Sequence, residues 1–240
     1  MARYFTPMVL ALGSATPSDA GEGPWTRQLA RAGVTDQRIV AAMAKVNRAD
    51  YVPPYERAWA LDDRPLYIGH GQTTSQPTLI AQMIQAMALK PGCHVLEVGT
   101  GSGYETALLA ELCKDVYSIE IVEPLARQAA KLLAEKGYAN AHVKAGDGYL
   151  GWPEVAPFDA IVVCASSPDL PRPLLDQLAP GGRLVIPVGG DTYGELEVVT
   201  KQPADGGIRR QGLMSVLFVP LTGPNAARDR EAWHDGGRRW

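Results

Sequence analysis

The chain has 240 residues, 46 % of them hydrophobic, with a formal net charge of -3 and a pI near 5.8. This is enough apolar material for one well-filled domain, and the near-neutral charge gives no nucleic-acid footprint. No apolar run is long enough to span a bilayer, and three cysteines (Cys93, Cys113 and Cys164) without metal spacing and in odd number argue against a disulfide framework.

Residues 1–24 end in PSDAGEGP, a composition that cannot bury a core, and are predicted to be a flexible leader. Arg3, the run Met8–Leu12 and Gly13-Ser14-Ala15 faintly resemble an export signal; the main expectation is a cytoplasmic monomer. Helices are predicted from Trp25 to Gly33 and from Asp36 to Val46, where Ile39, Val40, Met43 and Val46 recur at helical spacing. Residues 60–77 have no clear period and are expected to be an irregular, functional segment. A helix over 78–89 follows, with Leu79, Ile80, Met83, Ile84 and Met87 in one stripe.

From there strand and helix alternate. Strands are predicted at 94–98, 115–120, 141–145, 158–163 and 182–188, with helices at 104–112, 124–136 and 171–178. Buried strands separated by helices indicate an α/β fold, a doubly wound Rossmann-like parallel sheet. Two β-like runs, Leu196–Thr200 and Leu213–Pro220, flank a turn-rich stretch and predict an antiparallel C-terminal edge. The expected organisation is one domain over 25–222, with N-terminal helices and a loop at 25–90, a cofactor-binding sheet at 91–222, and a loosely held tail at 223–240.

The stretch HVLEVGTGSGY, residues 94–104, joins an apolar strand to a helix through Gly99, Gly101 and Gly103. Glycine lets the backbone take positive φ and approach a ligand closely, and the helix start offers unpaired N–H groups. The spacing is GxGxG, not the GxGxxG of a nicotinamide site, and no Lys-Ser/Thr pair of a phosphate loop follows. It instead resembles motif I of class I S-adenosylmethionine-dependent methyltransferases, with Glu97, Thr100 and Ser102 in the same turn. Glu120 closes the second strand, where a carboxylate can accept both ribose hydroxyls. Asp147 and Gly148 follow the third strand, where an adenine amino group needs an acceptor. Taken singly, Glu120 reads as a surface acid and Asp147 as a turn former. Together they converge on the ligand crevice of an open α/β sheet.

The loop RPLYIGHGQTTSQP (64–77), the block GDGYLGWPEVAPFDAIVV (146–163), LLDQLAPGGRLVIPVG (174–189) and FVPL (218–221) resemble the protein-L-isoaspartate O-methyltransferase family over about residues 27–222. The resemblance implies methyl transfer from S-adenosylmethionine to the α-carboxylate of L-isoaspartyl residues in damaged proteins, with no nucleic-acid or membrane partner and no metal. It places the active-site hydroxyl on Ser75, supported by Thr73 and Thr74. On the residues alone, Ser75 reads first as the cap of the helix that follows. A carboxylate nucleophile is ionised at neutral pH and needs no general base, which fits the lack of any Ser-His-Asp or Cys-His set.

Three places depart from the family pattern. Val163-Cys164-Ala165-Ser166 stands where Val-Thr-Ala-Ala is usual, Tyr67 where proline is commoner, and Glu105 where glutamine is commoner. Cys164 and Ala165 are expected beside the acceptor, so Cys164 bears on substrate preference. The competing functions are a relative that methylates a normal aspartate in a dedicated peptide, and a non-catalytic methyl-donor-binding module. The histidines His70, His94, His142 and His234 form no set.

Overall fold

The computed structural model describes residues 25–189, 193–204 and 206–226. The expected leader and export-like segment lie outside these residues, as do residues 227–240 of the tail. Helix α1 (Thr26–Arg31) and α2 (Gln37–Lys45) come first. The Asp36 side chain caps α2 by accepting from Arg38 N at 2.9 Å, and Ile39, Ala42 and Met43 form its buried face. The 60–77 segment departs from the irregular expectation. Its middle folds into a hairpin, β1 (Leu66–Gly69) against β2 (Gln72–Thr74), with Leu66 opposite Thr74 and Tyr67 opposite Thr73. The turn between them runs through Gly69 and Gly71 at positive φ, so a two-residue strand period was hidden by glycines and polar side chains.

Helix α3 (Pro77–Ala86) leads into β3 (His94–Val98), α4 (Tyr104–Leu112), β4 (Asp115–Glu120), α5 (Glu123–Glu135), β5 (Ala141–Ala145), β6 (Phe158–Val163), α6 (Arg172–Asp176), β7 (Leu178–Gly189), β8 (Gly194–Lys201) and β9 (Ile208–Val216). The seven long strands form one sheet in the order β5-β4-β3-β6-β7-β8-β9, parallel up to β7 and antiparallel thereafter. The chain starts at β3, builds outward to β5, and returns to the other side of β3 with β6. This reversal opens a crevice at the carboxyl ends of β3, β4 and β6. One core cluster joins α1 to α4 to the sheet; a second includes Leu174 and Leu175 of α6, Leu221 and Ala226.

Three further expectations are corrected or extended. The last strand runs over 208–216 rather than 213–220. Its exposed start, Ile208-Arg209-Arg210-Gln211, suits a sheet edge, while Pro220 has no N–H for a ladder and the segment after Val216 leaves the sheet. Packing continues past residue 222, with Ala226 buried and Asn225 bonded to Asp147. Cys93 and Cys113, which their odd count argued against pairing, are joined by a disulfide at a Cα–Cα distance of 4.7 Å, leaving Cys164 free. The two cysteines flank the β3–turn–α4 unit and are brought together by its fold, a closeness that spacing alone does not display.

Candidate active site

One side of the crevice, where the methyl donor is expected, is made by the glycine turn. Gly99, Gly101 and Gly103 have φ of +103°, +53° and +84°. A Cβ on Gly99 would lie 3.2 Å from Cys164 Cβ, and one on Gly101 would lie 3.1 Å from Ile68 Cδ1. The turn is thus closely backed by β6 on one side and by the hairpin on the other. Glu120, at the end of β4, accepts from Gly101 N at 2.8 Å and Val122 N at 2.9 Å. Each carboxylate oxygen keeps a lone pair for a ligand hydroxyl. Gly148 also reaches the wall, and a Cβ there would overlap the Val98 side chain.

Gly99, Gly101, Glu120 and Gly148 line a cavity of about 800 Å³, together with Thr100, Ser102, Glu105 and Ile119. Three expected cofactor residues stand elsewhere. Gly103 turns the chain into α4, and a Cβ on it would face Ala129 and Leu133 of α5 at 3.3–3.5 Å. Glu97 is fully buried behind the wall, where its Oε2 accepts from the Thr106 and Ser118 hydroxyls. Asp147 is not in the wall: it accepts from Tyr149 N at 3.0 Å and from Asn225 Nδ2 at 2.9 Å, and so fastens the segment that follows the cavity.

The other side, where the acceptor is expected, is built by contacts remote in sequence. Arg48, in a short 3-10 turn at Arg48–Tyr51, is 1 % exposed and donates to the carbonyls of Ala60, Asp62, Arg64 and Ser75 at 3.0–3.3 Å. Burial lowers its guanidinium to about 10, still protonated at neutral pH. Asp63 caps α3 from outside the helix, accepting from Thr78 N at 3.0 Å and Thr78 Oγ1 at 2.8 Å. The helix N-cap position itself is Gln76, without a side-chain cap bond. Ser75 is therefore not the cap that local pattern suggested, because Asp63 already supplies that acceptor.

A second cleft of about 960 Å³ adjoins the first. Both are walled by Thr73, Ser75, Cys164 and Val219; the second continues along Leu79, Gln82 and Met214. Thr74 and Ala165 face the first. Cys164 Sγ lies 3.3 Å from Glu105 Oε2, so two of the departures from the pattern the chain resembles touch. Burial raises Glu105 to about 7 and Glu97 well above the usual carboxylate range, the latter also through Glu105 itself. Burial, with Glu105 and Glu97 nearby, pushes the Cys164 thiol up and away from thiolate chemistry. Sequence reasoning missed Arg48, Asp63, Ile68 and the strap Val219–Thr222. Arg48 and Asp63 belong to no local motif; Ile68 lay inside the 64–77 loop and the strap inside FVPL, but neither was singled out.

The family model described as protein-L-isoaspartate(D-aspartate) O-methyltransferase matches residues 25–226. A protein-L-isoaspartate O-methyltransferase of Opitutus terrae is 55 % identical over 196 residues, covering 81 % of this chain and 83 % of that protein. One from Myxococcus xanthus is 49 % identical over 205 residues, covering 84 % and 97 %. Among solved structures, a Plasmodium falciparum chain described as a protein-L-isoaspartate O-methyltransferase in complex with S-adenosyl-L-homocysteine aligns with a TM-score of 0.71 at 29 % identity, covering 82 % of this chain and 95 % of that one. A second protein-L-isoaspartate O-methyltransferase structure gives 0.77 at 26 % identity, covering 85 % and 68 %.

Proposed function

The chain belongs to the protein-L-isoaspartate O-methyltransferase family, and from that premise we propose the following reaction and division of labour. The protein transfers a methyl group from S-adenosylmethionine to the α-carboxylate of L-isoaspartyl residues in damaged proteins. The ester then collapses to a succinimide that can reopen to aspartate. One observation carries the assignment of sides: two cavities meet at a wall of Thr73, Ser75 and Cys164.

The donor cavity fits S-adenosylmethionine on its own chemistry. It offers a carboxylate with spare acceptor capacity at Glu120, a glycine floor that admits no Cβ without crowding, and an unpartnered buried carboxyl oxygen on Glu105. When bound, the cofactor supplies an electrophilic methyl on a sulfonium. Gly99, Thr100, Gly101, Ser102 and Gly103 hold it against the turn, Glu120 takes the ribose, and Gly148 faces the adenine end with Asp147 behind. Glu97 acts from behind the wall through Ser118 and Thr100. On the other side, the Ser75 hydroxyl orients the substrate carboxylate, supported by Thr73 and Thr74 and bordered by Cys164 and Ala165. No group need remove a proton, since the nucleophile is already a carboxylate. Orientation of the reacting groups accounts for on the order of 7–11 kcal/mol at best.

Labelled methyl uptake from S-adenosylmethionine by an isoaspartyl peptide and its aspartyl twin tests the assignment. A base-labile ester on the isoaspartyl peptide alone is expected. Uptake by the aspartyl twin would instead support the dedicated-partner relative; cofactor binding without uptake would support the binding module.

The proposed setting is a cytoplasmic monomer with no nucleic-acid or membrane partner, supported by the near-neutral charge; no helix among the described residues is long and apolar enough to cross a membrane. The Cys93–Cys113 disulfide favours a second reading, an oxidising compartment reached through an export signal in residues 1–15. Mass measurement of the mature N-terminus and a thiol count distinguish the two.

A further inference from the structure

One cluster at the cavity wall carries acidic protons that the reaction as described does not use. An oxygen of Glu97, an oxygen of Glu105 and Cys164 Sγ lie within 4.8 Å of one another. Glu105 is 7 % exposed and lines the donor cavity; Glu97 is fully buried behind it. Glu97 Oε1 and Glu105 Oε1 have no hydrogen-bond partner among the described residues. Two buried carboxyls this close cannot both be ionised cheaply, so the pair holds on to a proton.

The surroundings supply no fixed cation to relieve them. Glu120 at the end of β4 adds negative charge to Glu97 and Cys164, and Cys164, just past the end of β6, is the titratable group on that side. The facing hairpin and α3 contribute Ile68, Thr73, Thr74, Ser75 and Ile80, and the strap contributes Val219 to Thr222, none of them charged. The nearest buried guanidinium, Arg48, is engaged by four carbonyls and lies 6.0 Å from the Tyr104 ring centroid.

We propose that Glu105, paired with Glu97, is a charge-sensing residue for the cofactor: in mildly acidic solution it is protonated in the free protein and gives up that proton to solvent when the cationic methyl donor binds. This rests on the reading of the cavity as the S-adenosylmethionine site. The balance is simple. Binding of the sulfonium places one positive charge beside the pair, and one proton leaves Glu105. Methyl transfer converts the sulfonium to a neutral thioether, and Glu105 takes a proton back from solvent. The site is then matched to the substrate's charge and mismatched to the product's, which disfavours retention of S-adenosylhomocysteine.

Calorimetric titration of the full chain with S-adenosylmethionine and with S-adenosylhomocysteine, in buffers of different ionisation enthalpy, counts the protons directly. With Glu105 near 7 in the free protein, release of about 0.9 proton is expected at pH 6 and about 0.5 at pH 7, fading by pH 9. The homocysteine product should release markedly less. Glu105→Gln should abolish most of the release at pH 6 and weaken the donor roughly tenfold, with the product changed less than threefold. Donor binding without proton release at pH 6 overturns the inference and leaves the cofactor reading standing. Failure of either ligand to bind overturns the cofactor reading instead. Should Glu105→Gln fail to fold, the pH dependence of the unsubstituted chain decides: release that does not decline between pH 6 and 9 contradicts the assignment.

Discussion

The two sides of the proposed active-site wall are held by different kinds of contact. The proposed donor side is local. Strand β3, the glycine turn and α4 are consecutive, and the turn's shape follows from three glycines at positive φ within five residues. The acceptor side is assembled at a distance. Ser75 sits where it does because Arg48, 27 residues earlier, holds its carbonyl, and because Asp63, not Ser75, caps the next helix. The donor side should therefore respond to backbone and charge changes within its own motif, and the acceptor side to changes at residues that touch no ligand.

The strongest test of that contrast is Arg48→Leu. It strips four carbonyls of their donor, and buried acceptors left unpaired cost about 1–3 kcal/mol each. With some carbonyls regaining water, a loss of about 4 kcal/mol in urea unfolding is expected, with turnover falling far more than affinity for the methyl donor. An unchanged unfolding midpoint would remove Arg48 from its place as the organiser of the acceptor loop.

Next comes the pH dependence of the donor side. Burial raises Glu105 from 4.5 to about 7, so between those values the folded chain holds a proton that the unfolded chain has released. This contribution is fully present below pH 4.5 and lost as pH rises through 7, by about 3 kcal/mol. Subtracting the Glu105→Gln profile from that of the unsubstituted chain, both without cofactor, should isolate the decline. A difference that rises with pH would contradict the carboxyl's placement.

A smaller effect is expected at the point where the two sides touch. Gly101→Ala places a Cβ at φ +53° and 3.1 Å from Ile68 Cδ1 of the hairpin. Strain of about 1–2 kcal/mol is expected, with donor affinity falling roughly tenfold as the turn shifts. Calorimetry of S-adenosylmethionine binding reads it; full affinity would mean that the turn needs no left-handed residue there.

The same contrast explains what could be read from the sequence. Strands β3 to β6 and helices α4 and α5 follow from apolar runs and glycine stops, because their signals lie inside each element. Gly99, Gly101, Gly103 and Glu120 were legible for the same reason. The β1–β2 hairpin was not, since its strands are short, polar and broken by glycine. Ser75 pointed to a helix cap on local grounds, and only the family resemblance pointed to the site; Asp63 takes the capping role away from it. Arg48 and the Cys93–Cys113 disulfide depend on contacts between distant segments. The touching of Glu105 and Cys164 depends on the crossover that sets β6 beside β3.

If donor and acceptor sides are separable and meet at Ser75, Ser75→Ala separates them most directly, with turnover on an isoaspartyl peptide and S-adenosylmethionine affinity measured on the same preparation. Turnover at least roughly tenfold lower is expected, about 1.4 kcal/mol in barrier, with donor affinity unchanged. Unchanged turnover, or equal losses in turnover and donor affinity, would contradict that separation.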